Sequence, residues 1–346
     1  MEDMERLEEK SEFKDFNPDE YEEVMQAFGP EGRKHYVIEN KTNGKYGLLY
    51  NKKSLEDQSF YAPYLMYVIG KKCGIDVPET ELGRYLINDI DQLVPSYKDS
   101  FFEASLVYTG IDPIFGRNVS HVSQQVIDAT YLSENPQAAE KRRDQDRGRV
   151  QKMNFEEYVE SNVYYLISRG SKPRQEYSRA EIDAMRQELV DRAMFGLKLG
   201  IQGQTSIDLY NHKNAKLSPY FLSSHNMFLL GINDNWVSST LDESDEDFKN
   251  SMDYELRPQF GIPYNYVIPT SEQLLAHIFE TYPEQAERAY KKVRAFSQED
   301  LEAELDSYAR LDENHKKMAL RIFQMRDKEF EKVYEEQRKN KIQNKE

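Results

Sequence analysis

The sequence contains very little cysteine, since Cys73 is the only one among its 346 residues. A single cysteine excludes an intrachain disulfide and a zinc site built from several cysteines, and it favours a reducing compartment. Long apolar runs are also missing: none approaches the roughly 18–20 residues that a membrane-spanning helix needs. The acidic start, MEDMERLEEKSEFKDF, lacks the basic and apolar regions of a signal peptide. These absences predict a cytoplasmic protein that does not insert into membranes.

Basic residues are in deficit as well. The chain has 46 lysines and arginines against 62 aspartates and glutamates, which gives a formal net charge of −16. A field of this sign repels phosphate backbones and argues against nucleic-acid binding. Hydrophobic residues make up 38% of the chain and aromatic residues 12%. This is enough apolar material for a packed core, so the composition predicts a folded protein.

Strand patterns are concentrated in the first third of the chain. HYVIEN and KYGLLYN flank Asn43-Gly44 and predict two strands joined by a tight hairpin. Residues 59–74 predict a helix and residues 101–109 a further strand. Before them, residues 18–28 are predicted to be helical, because their apolar side chains recur at helical spacing. These side chains are Tyr21, Val24, Met25 and Phe28.

Helical patterns dominate from residue 154. In the segment 178–199, Ser178 and Glu181 have the spacing of a capping box. Three further helical stretches are predicted from Ser271 onward, the last of them long, over about 314–340. The sequence thus predicts an α+β fold in four parts. They are an acidic helical extension (1–28), a β-containing N-lobe (29–132), an exposed connection (133–153) and a helical C-lobe with a long C-terminal helix (154–346).

The order of four segments resembles the HipA-like branch of the protein-kinase fold, particularly its compact forms in Gram-positive bacteria. The segments are GPEGRKHYVIENKTNGKYGLLYN, YLMYVIGKKCGIDVPETELGRY, MFGLKLGIQGQTSIDLYN and KLSPYFLSSHNMF. They look like the family's glycine-containing loop with its strands, its αC-type helix, its catalytic loop and its metal-binding segment. The resemblance spans residues 29–230 and implies a two-lobed, kinase-like fold.

The same resemblance implies that most of the catalytic groups are lost. Phosphoryl transfer needs a lysine on the phosphates, a glutamate that holds it, a catalytic aspartate, and an aspartate and an asparagine on magnesium. In that order, these positions fall on Leu49, Tyr64, Gly203, Leu222 and Asp208. Only Asp208 keeps an oxygen ligand for a metal. We therefore expect a pseudokinase that binds a protein or ligand as a regulator or scaffold, and that needs no cofactor.

Two alternatives stay open. An atypical ATP-dependent kinase would recruit Lys52 or Lys53 and combine Asp208 with Asp234, with ATP and magnesium as cofactors. A helical interaction module without kinase ancestry would lack a small sheet-bearing lobe. Between Gly29 and Lys34, a weak nucleotide contact is predicted from a glycine-containing turn with two basic residues. Its candidate residues are Gly29, Gly32, Arg33 and Lys34.

Other motifs favour structural roles. The six histidines include no pair at ligand spacing on one helix, so the sequence predicts no histidine-based metal site. Cys73 lies in an apolar helix and is expected to be a core residue rather than a nucleophile. The polar segment 223–226 is expected to be a loop, and the basic run within 141–149 a solvated surface.

Overall fold

A six-stranded sheet forms the N-terminal lobe of the computed structural model. Its strand order is β1-β5-β6-β4-β3-β2, with β1 parallel to β5 and all other neighbours antiparallel. Helix α1 (Tyr61–Cys73) lies between β4 and β5 in the chain and packs on β5 and β6. The strands are β1 (Lys14–Asp15), β2 (Tyr21–Phe28), β3 (Lys34–Asn40), β4 (Lys45–Asn51), β5 (Glu79–Ile87) and β6 (Ser100–Tyr108).

The structure describes most of the chain. The described residues are 14–17, 19–28, 34–51, 58–87, 100–108, 119–123, 134–137, 154–170, 172–201, 207–211, 216–217, 227–258, 269–308 and 310–343. Within these ranges, every helix is too short or too polar to cross a bilayer.

The hairpin predicted around Asn43-Gly44 is confirmed. β3 and β4 pair antiparallel, and the last pair of their ladder joins Asn40 to Lys45. Gly44 has a φ of 67°, a left-handed conformation that glycine adopts without the strain of a Cβ atom. The Asn40 side chain lies inside the lobe and donates a hydrogen bond to the Tyr108 hydroxyl at 3.0 Å. The turn is therefore anchored to the neighbouring strand β6.

The helix predicted over 18–28 is wrong, because this segment forms edge strand β2. Its pairing with β3 shifts register between Glu23 and Met25. Such a bulge breaks the two-residue alternation of a strand, so the apolar positions imitate helical spacing. The described part of the predicted helical extension therefore belongs to the N-lobe sheet.

Helices form most of the C-terminal lobe. They are α2 (Phe155–Arg169), α3 (Arg179–Lys198), α4 (Asp234–Leu241), α5 (Asp245–Glu255), α6 (Ser271–Thr281), α7 (Pro283–Val293), α8 (Gln298–Ser307) and α9 (Glu313–Gln343). A small second sheet has the order β7-β8-β9, with strands Val119–Ser123, Ile207–Asn211 and Lys216–Leu217. A small β-containing lobe followed by a larger helical lobe is the α+β architecture that the sequence predicts. After residue 270 the chain forms four helices, one more than predicted.

Local hydrogen bonds explain where several of these helices begin. Ser178 accepts from the Glu181 amide, while the Glu181 carboxylate accepts from the Ser178 amide at 2.8 Å. The predicted capping box is thus confirmed, and it satisfies two amides that the first turn of α3 leaves without helical partners. Equivalent boxes start α2, α6 and α8 at Asn154, Thr270 and Ser297.

Helix α1 is tied to the C-lobe at three points. The ring of Tyr61 stacks on Tyr308 with 4.7 Å between centroids, and Lys72 Nζ lies 2.5 Å from Asp300 Oδ1. The Cys73 thiol lies 3.9 Å from the carbonyl oxygen of Val293. The buried side chains of α1 belong to the same apolar cluster as those of the C-lobe helices. This docking fixes the position of α1 between the two lobes.

In the predicted connection, the structure describes residues 134–137, of which Glu134, Pro136 and Gln137 are exposed. The basic run within 141–149 lies outside the described residues.

Candidate functional site

Strand β4 and helix α1 are the two elements on which the resemblance places the phosphate lysine and its glutamate. Leu49 of β4 pairs with Tyr36 on one side and with Leu106 on the other. Directly paired residues project from the same face of an antiparallel sheet. These three side chains belong to one buried cluster, together with Phe16, Tyr21, Ile38 and Tyr108.

The opposite face of the sheet carries α1. Leu82 of β5 packs in the cluster that contains the α1 side chains, whereas its neighbour Glu81 accepts a hydrogen bond from Tyr21 of the other cluster at 2.7 Å. Leu49 is 1% exposed and shares the face of Tyr21. The structure therefore does not bring Leu49 and Tyr64 together, because the sheet lies between them.

Helix α1 has no carboxylate at any position from Tyr61 to Cys73. Tyr64, where the resemblance places the glutamate, is half-buried and packs against two other tyrosines. Its ring centroid lies 6.4 Å from that of Tyr67 and 6.2 Å from that of Tyr308. A shift of the alignment along α1 does not recover a glutamate.

Strand β4 contains one lysine, Lys45, at its first residue. Its ammonium group forms an ion pair with Glu79 and lies 5.6 Å from the ring centroid of Tyr108. Tyr108 belongs to the cluster on the face away from α1. Within the described residues of β4 and α1, no lysine–glutamate pair of the kinase type can form.

Several predicted positions lie outside the described residues. These are Gly29, Gly32, Arg33, Lys52, Lys53, Gly203, Leu222 and the segment 223–226. Lys34 begins β3, and Asp208 lies in β8 opposite Val122 of β7; the structure describes the backbone of these two positions. Asp234 is the first residue of α4.

The segment predicted to hold the catalytic loop follows α3 directly. Gly200 has a φ of 57°, and a Cβ atom there would come within 3.0 Å of both Leu256 and Ile322. Glycine is therefore required at this turn by its backbone conformation and by close packing. The requirement is structural, since both neighbours are core side chains.

A cavity of about 390 Å³ opens between α1, β5 and α8. Glu304 supplies a carboxylate to its lining, and none of the described lining residues is a lysine or arginine. Glu304 accepts a hydrogen bond from the Tyr308 hydroxyl at 2.7 Å. Charge of this sign suits a neutral or cationic group and opposes a polyphosphate. The lining residues are Tyr64, Tyr67, Thr80, Glu81, Leu82, Glu304, Ser307 and Tyr308.

The local sequence does not predict this cavity, because nothing in the pattern of residues 298–308 shows that α8 returns to the N-lobe. The α1 tyrosines Tyr64 and Tyr67 pack against each other and also line the cavity.

Cys73 is a core residue, as predicted. Its side chain is 3% exposed. Burial raises the pKa of the thiol to about 11, with the nearby Lys198 opposing the shift. A thiol with this pKa is protonated at neutral pH and is a poor nucleophile.

A smaller cavity of about 250 Å³ lies where the residues after α1 meet α3 and α7. Asp191 lines it, 5% exposed, and accepts hydrogen bonds from Lys292 Nζ at 2.5 Å and from Gln187 Nε2 at 2.7 Å. Burial raises the pKa of Asp191, although these donors oppose the shift. Lys292 pairs with Asp191 and Arg192 pairs with Glu188, which is typical of structural ion pairs rather than of an empty binding site.

Comparison with known proteins identifies the fold. No protein-family model matches the sequence, and no curated protein matches it significantly. The structure is similar to the crystal structure of a Helicobacter pylori proinflammatory kinase, CtkA, with a TM-score of 0.62 and 12% sequence identity. The similarity covers 95% of this chain and 97% of that chain. At this identity it shows the fold alone: the chain has the two-lobed, kinase-like α+β fold that the sequence predicts.

Proposed function

We propose that this chain is a catalytically degenerate kinase-fold protein of the HipA-like type, a cytoplasmic pseudokinase that binds a protein or ligand as a regulator or scaffold. One observation carries the proposal. Helix α1 contains no carboxylate, and the only lysine of β4 is paired with Glu79. Active protein kinases depend on an ion pair between the third-strand lysine and the αC glutamate.

The segment in which the resemblance places the catalytic and metal-binding aspartates supports the same conclusion. Between Leu199 and His225 the chain has one acidic residue, Asp208. Phosphoryl transfer uses a catalytic aspartate and a separate metal-binding aspartate, and hard oxygen ligands are what magnesium prefers. One carboxylate cannot serve both positions. We therefore expect no ATP–magnesium cofactor.

The cavity between α1, β5 and α8 supports a binding role. It joins residues of both lobes, so a ligand there would contact the junction that holds α1 in place. The Glu304 carboxylate and the tyrosine hydroxyls suit a neutral or cationic group, such as a lysine or arginine side chain of a partner protein.

A phosphate-transfer assay tests the proposal. The full chain is incubated with γ-labelled ATP and magnesium or manganese, and incorporation into itself and into a general protein substrate is measured. We expect no incorporation above that of heat-denatured protein. Incorporation that is abolished in Asp208→Ala, but retained in the exposed control Asp242→Ala, would overturn the proposal in favour of an atypical kinase.

Thermal unfolding with and without nucleotide tests the cofactor expectation separately. A ligand that binds only the folded state raises its stability, so ATP with magnesium should leave the melting temperature unchanged. A reproducible increase without phosphate transfer would retain the pseudokinase and show that it binds nucleotide.

A further inference from the structure

Three side chains from the starts of two helices converge in the C-lobe. Asp234 is the first residue of α4, Asp312 precedes α9, and His315 is the third residue of α9. One donor atom of each lies within 4.8 Å of the other two. His315 is fully buried, whereas the side chains of Asp234 and Asp312 are 45% and 40% exposed. The cluster therefore has a buried nitrogen and an opening to solvent.

The orientation of the imidazole ring is fixed by the backbone. His315 Nε2 lies 3.0 Å from the carbonyl oxygen of Ile232. A carbonyl oxygen only accepts hydrogen bonds, so Nε2 carries the proton and donates it. In the neutral ring, the Nδ1 lone pair then points toward the two carboxylates. Histidines that bind metals commonly donate their other ring N–H to a backbone carbonyl in this way.

Two distances within the cluster are compatible with metal ligands and are longer than a typical hydrogen bond. Nδ1 lies 3.4 Å from Asp312 Oδ1 and 3.6 Å from Asp234 Oδ1. An N–H···O hydrogen bond spans about 2.7–3.2 Å. Ligands bound to zinc at about 2.0–2.1 Å in a tetrahedron lie about 3.3–3.4 Å from one another. The two contacts are therefore close to the edges of a coordination tetrahedron.

We propose that Asp234, Asp312 and His315 bind a divalent transition-metal ion of the zinc class, with water completing the coordination. Imidazole nitrogen and carboxylate oxygen are donors that zinc accepts, and three protein ligands with an open position form a known type of zinc site. The ion would link the start of α4 to the start of α9. The site lies in the C-lobe helices, so it does not depend on the proposed function.

The partial positive charge at the start of each helix repels a cation, but the two carboxylates attract it more strongly. Each helix N-terminus carries about half a positive charge, whereas the two aspartates carry two full negative charges. The Asp312 oxygen also accepts from the backbone amides of Asn314 at 2.8 Å and His315 at 3.2 Å. Asp312 is thus oriented before a metal arrives.

The sequence predicts no histidine-based metal site because it has no pair of histidines at ligand spacing, and His315 is the one histidine of this cluster. A weak local signal exists, since Asp312 and His315 are three residues apart at a helix start. The third ligand comes from a distant part of the chain, and only the packing of α4 against α9 brings it near.

Calorimetric titration of the full-length, tag-free chain with zinc chloride tests the site. We expect one ion per chain, and at least about tenfold weaker binding for Asp234→Asn, given that even outer-shell changes cost 10–100-fold. Asp234 is exposed enough that this variant should fold, which circular dichroism would verify. The control is Asp242→Asn, an exposed aspartate at the other end of α4, and it should bind zinc as the wild type does.

Nitrogen NMR of the imidazole gives a second readout. Zinc should shift the Nδ1 resonance of His315 and leave Nε2 protonated, and magnesium should not produce this shift. Absence of stoichiometric zinc binding would overturn the proposal, because a proton on Nδ1 would then account for the cluster. Equal affinity in the wild type and Asp234→Asn would overturn it as well, since the bound zinc would lie elsewhere.

Discussion

In the N-lobe, β4 and α1 contain no carboxylate, and the buried polar side chains among the described residues are all uncharged. These are Asn40, Gln58, Ser59 and Thr80. In the C-lobe, α3 and α9 alone bury six titratable or permanently charged side chains. These are Asp191, Arg192, Lys198, His315, Arg326 and Glu329.

Most of these buried charges of the C-lobe are paired with another side chain. Arg192 pairs with Glu188, Lys198 contacts Asp327, and Arg326 donates to Glu329 at 2.7 Å. Burial lowers the pKa of Lys198 to about 7, and the nearby Cys73 opposes this shift. The chain thus uses paired charge to hold helices together in one lobe, and lacks it where a kinase would use it on a nucleotide.

The described part of the N-lobe has an uncharged interior, whereas the C-lobe interior contains paired charges. A lysine introduced at position 49 is the most severe test of the N-lobe part of this comparison. Leu49→Lys would place an unpaired ammonium group in a fully buried cluster, so the free energy of unfolding should fall by about 4–5 kcal/mol or more. Urea unfolding measures this loss. Leu48→Lys is the matched control: Leu48 is half-buried on the α1 face, and the cost there should be about 1 kcal/mol.

If Leu49→Lys is as stable as Leu48→Lys, the N-lobe interior does tolerate a charge and the contrast with the C-lobe is wrong. A nucleotide-dependent increase in the melting temperature of Leu49→Lys would contradict this contrast more strongly. The first result would show that a charge at position 49 is not buried, and the second that the resemblance places the phosphate lysine correctly.

Glu329→Gln tests whether the buried charges of the C-lobe stabilise it. Glu329 is 6% exposed and accepts hydrogen bonds from Arg326 Nη1 and Lys249 Nζ, both at 2.7 Å. Removing its charge leaves the fully buried Arg326 with Asp253 at 4.0 Å as its nearest carboxylate. Breaking a buried pair from one side costs about 3–5 kcal/mol, and urea unfolding should show a loss in this range.

The control for this prediction lies on the same helix. Glu335 forms an exposed pair with Arg338 at 3.3 Å, and Glu335→Gln should change stability by less than about 1 kcal/mol. Replacing both buried partners, Arg326→Met with Glu329→Leu, should recover much of the loss. If Glu329→Gln behaves like Glu335→Gln, the buried charges of α9 do not stabilise the lobe as proposed.

The features predicted correctly from sequence are those encoded by neighbouring residues. Asn43-Gly44 specifies the hairpin, Ser178 and Glu181 specify the start of α3, and the apolar spacing of α1 specifies its helix. The sequence predicts a helix where strand β2 forms, because one bulge replaces the two-residue period with a spacing typical of helices.

The candidate sites depended on partners far apart in the sequence. The face on which Leu49 lies is decided by its pairing with Leu106 on another strand. The cavity of α1 requires Tyr308, and the His315 cluster requires Asp234. No local pattern carries this information, because each contact is created by packing between distant elements.

The smallest predicted effect lies at the junction of the lobes, where Cys73 meets Val293. An unfolded cysteine loses its proton near pH 8.5, whereas burial raises the pKa of Cys73 to about 11. Below pH 8 the thiol is protonated in both states, so it makes no pH-dependent contribution. As the pH rises toward 11, the unfolded state ionises first and is favoured.

Cys73→Ala removes this titration and leaves the other groups in place. Between pH 8 and 11, urea unfolding should show the wild type losing about 2–3 kcal/mol more than Cys73→Ala, the equivalent of about two pKa units. Parallel stability curves would show that α1 opens to solvent at the junction. A thiol reagent gives an independent check at pH 8, since a docked α1 should leave Cys73 unlabelled until the chain unfolds. Rapid labelling of the folded chain would mean that the contacts of α1 with α7 and α8 are too weak to keep the two lobes joined.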